Sequence, residues 1–125
     1  MHDVLYKQES FETMGACMEV YNQLGRVFLE AVYQRALGLE LEARDIRFSL
    51  EVEFPVRYKE PTLYLNYHAD FILYDEITLV LKAVKELSSQ HQSQLLNYFN
   101  VTGKKLEILV DFGSFNGLQS KRFVM

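Results

Sequence analysis

Two hydrophobic periods divide the chain. Phe11, Met14, Met18, Tyr21 and Leu24 return at three- and four-residue steps, which predicts an amphipathic helix over about residues 9–24. Ser10 is placed to cap its start and Gly25 to stop it. FLEAVYQRALGLELEARD continues the helical period over about 28–45, with Leu29, Val32, Tyr33, Ala36, Leu37 and Leu41 as its apolar stripe. Glu30 falls in its first turn, where a negative charge suits the helix dipole. The period then changes to two. Phe48, Leu50, Val52 and Phe54 alternate with Glu51 and Glu53 in a strand over about 47–59, and Pro55 marks an edge or a bulge. Glu60-Pro61 turns the chain, and strands follow at about 62–74 and 77–84, joined at Asp75-Glu76. Ser88-Ser89 opens a further helix to about Thr102, with Ser89 and Gln92 at capping-box spacing and Gly103 as its stop. Leu106, Ile108 and Val110 form a strand ending at Asp111, and SKRFVM a last one. The order is α α β β β α β with a β tail. There is no repeat, linker or low-complexity tract, so residues 1–125 read as one α/β domain.

Two charges interrupt the hairpin YHADFILYDEITLVLKAV. Asp70 precedes the apolar FIL, and Lys82 follows ITLVL, each about six residues from the turn. An ordinary cross-strand ion pair there contributes about 0.2–1 kcal/mol. Charges in such apolar surroundings are costly unless paired, and costly local charges are candidates for chemistry. On the following helix His91, Gln94 and Tyr98 share one face at i, i+3 and i+7. Taken singly, His91 reads as a surface or cap residue and Tyr98 as core.

Composition narrows the class. Apolar residues make up 49% of the 125, enough for a folded core. A net charge of −4 argues against a general nucleic-acid coat protein. It leaves room for a local basic groove, since Arg57 and Lys59, Lys82 and Lys85, Lys104 and Lys105, and Lys121 and Arg122 are grouped. The bland reading of these groups is solvated strand and loop ends. Cys17 stands alone, which excludes an internal disulfide and a cysteine-based zinc centre. Set among Met14, Met18 and Tyr21, it reads as a small core residue. The opening MHDVLYKQESFE lacks an apolar signal core, and no apolar run is long enough to span a bilayer. The expected setting is soluble, reducing and cytoplasmic.

Together, MGACMEVYNQLG, FLEAVYQRAL, YHADFIL, LKAV, HQSQLLNYFNVTG and LVDFGSFNGLQSKR resemble the GxxExxY family of the PD-(D/E)XK nuclease superfamily, from about Phe11 to Met125. The resemblance implies a restriction-endonuclease-like fold: a mixed, mainly antiparallel sheet with helices on both sides, in core order α-β-β-β-α-β. It implies that Asp70 binds a metal, Mg²⁺ or Mn²⁺, and that Lys82 is the lysine of an E-x-K motif, orienting or activating water. Glu30 and Tyr33 match the E and Y of the family's name. Gln94 and Tyr98 resemble the Gln-x-x-x-Tyr motif of the exonuclease-like branch. The implied activity is metal-dependent phosphodiester hydrolysis, in which the ion generates the nucleophile and a lysine stabilises the developing charge. The implied partner is nucleic acid, DNA ahead of RNA, with a homodimer as a further arrangement.

The sequence departs from this pattern at the acid of E-x-K, where Val80 stands. Asp70, the carbonyl of Leu81 and Glu30 remain as metal donors, a thinner set. Val27 replaces the glycine of GxxExxY, and Arg26 replaces a usual proline. Glu51, Glu53 and Glu86 are the acids near enough in the pattern to substitute. Impaired catalysis is the expectation, and a non-catalytic nucleic-acid- or protein-binding module is the alternative.

Overall fold

A computed structural model of the protein describes residues 6–59, 61–91 and 102–124. Its elements are α1 (Lys7–Leu24), α2 (Glu30–Ala43), β1 (Phe48–Arg57), β2 (Thr62–Leu73), β3 (Ile77–Lys82), β4 (Leu106–Asp111) and β5 (Gln119–Val124). The five strands form one sheet in the order β1-β2-β3-β4-β5. β1–β2, β2–β3 and β4–β5 are antiparallel, and β3–β4 is parallel. A parallel pair needs a long crossover, supplied by the segment after β3. Residues 89–91 begin a helix there. The rest of the expected helix, Gln94 and Tyr98 included, lies outside the described residues.

Both helices pack on one face of the sheet. Tyr33, Leu37 and Leu41 of α2 and Ala16, Cys17 and Val20 of α1 meet Phe71, Leu73, Leu79, Leu81, Ile108 and Val110. The opposite face gathers Ala69, Ile72, Val80 and Leu109, with Val52, Phe54, Leu87 and Phe123 against them. Cys17 is fully buried, and that burial pushes its thiol up to about 12. It is a core residue, as its neighbours suggested.

Several local expectations shift. The buried stripe of α1 is Thr13, Ala16, Cys17 and Val20, while Phe11 and Met18 are exposed and Met14, Tyr21 and Leu24 half-buried. The bulky residues suggested one face, but the face buried in the core is the one carrying the smaller residues. Leu29 of the α2 stripe is also exposed, because it precedes the helix. Ser10 does not cap α1: the helix starts at Lys7 after Tyr6, and Ser10 lies inside its first turn. Gly25 does end it, at φ 72°, with its N–H on the Tyr21 carbonyl. Ser88, not Ser89, caps the third helix: the His91 N–H donates to Ser88 Oγ at 3.2 Å, and the Ser88 N–H to His91 Nδ1 at 3.1 Å. His91 is thus a cap residue. Pro55 earns both readings, since β1 is an edge strand and its register slips between Pro55 and Arg57.

Candidate active-site cleft

The cleft opens where β2 and β3 part. Their pairing runs Leu73↔Ile77, Ile72↔Thr78 and Phe71↔Leu79, so the next step sets Asp70 across from Val80. There the Asp70 side chain replaces a ladder acceptor: the Leu81 N–H donates to Asp70 Oδ2 at 2.8 Å. From α2, Gln34 Nε2 donates to Asp70 Oδ1 at 2.9 Å. Both oxygens are therefore held, one by the sheet and one by the helix. The backbone of Lys82 faces the other way, its carbonyl accepting the Phe112 N–H at 2.9 Å. Backbone groups alternate along a strand, so the Leu81 N–H and carbonyl both face Asp70.

Glu30, Ala31 and Gln34 of α2, Glu51 of β1, His68 and Asp70 of β2, and Val80 and Lys82 of β3 enclose a cleft of about 440 Å³. Asp70, Lys82 and Glu30, expected from the sequence, are thus brought together. Of the substitute acids, Glu51 lines this cleft; Glu53 and Glu86 are not among its walls. Glu51 sits between the pairs Leu50↔Phe71 and Val52↔Ala69, opposite Asp70, at φ 52°. A left-handed non-glycine residue costs about 1–3 kcal/mol and is held only where the surroundings demand it.

The ordinary alternative for Asp70 and Lys82, a cross-strand ion pair, is not formed among the described residues. Asp70 meets neutral donors instead, because its side chain turns into the gap between the strands rather than along their face. Burial raises its pKa from the usual value, against the lowering effects of the Leu81 N–H, His68, Gln34 and, least, Lys82. Burial also raises Glu30, with Lys82 pulling it down and Asp70 and Asp111 pushing it up. Lys82 thus lowers both carboxyls that line the cleft.

The side chains present make a thin donor set for a metal ion. Among the described residues no three His, Cys, Asp or Glu side chains come together to hold one. Each Asp70 oxygen already accepts one hydrogen bond, leaving it one lone pair, and on the β3 side Val80 offers only methyl groups. Val80 is itself 6% exposed and packed with Ala69, Ile72 and Leu109.

Tyr33 does not reach the cleft lining. Its buried hydroxyl donates to the Gly25 carbonyl at 2.5 Å and accepts the Phe28 N–H at 3.3 Å, and its ring stacks on Phe112 with centroids 4.5 Å apart. It ties the α1–α2 connection to the end of β4. Asp111 braces the same end, Oδ1 accepting the Val84 N–H at 2.9 Å and the Gly113 N–H at 3.0 Å. Sequence reasoning missed Gln34 and His68. Gln34 stands four residues after Glu30, one turn on the same helix face, and that spacing was the available signal. His68 lies two before Asp70, on the same side of its strand.

No helix of the described residues is long and apolar enough to cross a membrane. No curated protein matches the sequence. Among solved structures, the protein titled "Crystal structure of SSO0001" is similar in fold, with a TM-score of 0.60 at 17% identity. The match covers 95% of this chain and 59% of that one, so this chain spans well under two thirds of its length. The model of the PD-(D/E)XK nuclease superfamily matches residues 7–123. A five-stranded mixed sheet whose central hairpin turns an aspartate and a lysine toward one cleft agrees with that match over almost the whole length, and the chain belongs to the PD-(D/E)XK nuclease superfamily.

Proposed function

We propose that this protein is a nucleic-acid-binding domain on a nuclease scaffold, descended from a metal-dependent phosphodiesterase and impaired in hydrolysis by Val80. Within the superfamily, Glu30 and Tyr33 suit the GxxExxY group. The observation that carries the reading is that Val80, one step past the last β2–β3 pair, lines the cleft with Asp70 at the position where the pattern calls for an acid. A carboxylate there would add two anionic oxygens beside those of Asp70; a valine gives none. The other parts suit a phosphodiester. Lys82 offers a cation to a phosphate oxygen in the cleft. Gln34 and the Leu81 N–H orient Asp70. Gln94 and Tyr98 belong to this proposal through their motif alone. DNA ranks ahead of RNA as the partner.

The test incubates the wild type and Val80→Glu with single- and double-stranded oligonucleotides in Mn²⁺ and in EDTA. Cleavage by Val80→Glu alone, abolished by EDTA, is the expected result. Metal-dependent cleavage by the wild type, lost in Asp70→Ala and Lys82→Ala, overturns the impairment and directs attention to Glu51 as the replacing acid. Cleavage by neither, with no oligonucleotide binding at low salt, overturns the nucleic-acid reading itself.

A further inference from the structure

Beside the cleft, two cations converge on one exposed ring. Phe115 is 60% exposed, on the loop between β4 and β5. The Arg26 guanidinium carbon lies 4.6 Å from its centroid, and Lys85 Nζ lies 5.9 Å from it. These cations come from separate places, Arg26 from the α1–α2 connection and Lys85 from the segment after β3. Neither has an ion pair among the described residues. The ring gathers two whose charges are met by no carboxylate among the described residues, which leaves both exposed cations open to an anion.

The location is tied to the cleft. The Phe115 N–H donates to the Lys85 carbonyl at 3.3 Å. Lys85 follows the cleft residue Lys82 by three residues, so their Cα atoms lie at most about 11 Å apart. Arg26 precedes Glu30 by four, at most about 14 Å away. The cation pair therefore stands close beside the cleft along the chain. Arg26 also occupies a position where the resembling family has proline, so the pair belongs to this chain rather than to the shared pattern.

We propose that Arg26 and Lys85, mounted on Phe115, form a backbone-phosphate clamp for a single nucleic-acid strand running into the Asp70 cleft. This rests on the nucleic-acid reading above. It adds which side of the cleft the strand crosses, and by which residues it is held without regard to base sequence.

The test measures fluorescence anisotropy of a labelled single-stranded oligonucleotide from 50 mM to 1 M salt with the wild type, Arg26→Gln, Lys85→Gln, the double variant, Phe115→Leu and Lys7→Gln. Lys7 is the matched control, since it begins the 18-residue α1 that ends just before Arg26, about 27 Å away by helical rise. Each lost phosphate contact lowers the slope of log affinity against log salt by about 0.7. Relative to 1 M, that makes each single variant about eightfold weaker at 50 mM and the double about sixtyfold weaker. Phe115→Leu keeps both charges but loses the mount, and should bind about two- to fivefold more weakly. All three side chains are exposed, and far-UV circular dichroism checks that each variant is folded. If Arg26→Gln and Lys85→Gln match Lys7→Gln in affinity and slope while the wild type binds, the clamp is overturned and the nucleic-acid reading stands. If the wild type shows no salt-dependent binding at 50 mM, both are overturned.

Discussion

Replacing Asp70 by Asn should leave the fold at least as stable as the wild type near pH 7, while Asp70→Ala should weaken it. The carboxylate accepts from Leu81 N–H at 2.8 Å and from Gln34 Nε2 at 2.9 Å. Asn keeps both bonds: its carbonyl takes the Leu81 N–H, and its NH₂ donates to Gln34 once that amide rotates by half a turn. The two bonds lose charge assistance, a cost of about 1 kcal/mol. Against this, the substitution removes a carboxylate whose burial outweighs every group favouring its charge, as its raised pKa states. The sum lies within about 1 kcal/mol of the wild type, on the stabilising side. Alanine instead leaves the Leu81 N–H without its acceptor, at a cost of about 1–3 kcal/mol. The pH dependence carries the sign. Because the folded pKa is raised, the protonated form is favoured by folding. The wild type is therefore most stable below the ordinary value of 3.8 and loses that contribution as pH rises through the raised folded value. The advantage of Asp70→Asn should shrink as pH falls through the same window. Urea unfolding followed by circular dichroism from pH 3 to 8 measures all three proteins. An Asn variant as weak as the Ala variant, or a difference from wild type that does not move with pH, refutes the account of Asp70 as a destabilising charge held for the cleft.

Two further substitutions test the supports of the cleft. Gly113→Ala would place a Cβ 2.7 Å from the Ala83 carbonyl carbon and 2.8 Å from the Val84 nitrogen. These are backbone atoms that cannot step aside cheaply, so a loss of about 1–3 kcal/mol is expected, read as a lower urea midpoint; an unchanged midpoint would show that the 83–84 backbone yields. Tyr33→Phe keeps the stack on Phe112 but strands the Gly25 carbonyl and the Phe28 N–H, and should cost about 1–2 kcal/mol. If thermal unfolding of Tyr33→Phe matches the wild type, the hydroxyl does not tie the α1–α2 connection.

The element order was legible in the sequence because local periods follow from local geometry: 3.6 residues per helical turn, two per strand repeat. Gly25 as a stop, Pro55 at an edge slip and the Asp75-Glu76 turn were legible for the same reason, each being a backbone preference of a few residues. Asp70 and Lys82 stood out because charges are rare within apolar strands. Which side of α1 is buried was not legible, since packing against the core took Ala16 and Cys17 rather than the larger Phe11 and Met18. The partner of Asp70 was not legible either. Opposite charges in one hairpin suggested a salt bridge, yet the strands part at that point, and the carboxylate takes the Leu81 N–H and a glutamine from a helix 36 residues away in sequence. The convergence of Arg26 and Lys85 on Phe115 depends on three loops meeting at the ends of the sheet. By itself, then, the sequence determined the elements, the fold they belong to and the presence of a valine at position 80, all matters of residue type and spacing. Only the tertiary structure decided which groups face Asp70, which acids reach the cleft and where unpaired cations gather, because those depend on strand register and on distances between residues far apart in the chain.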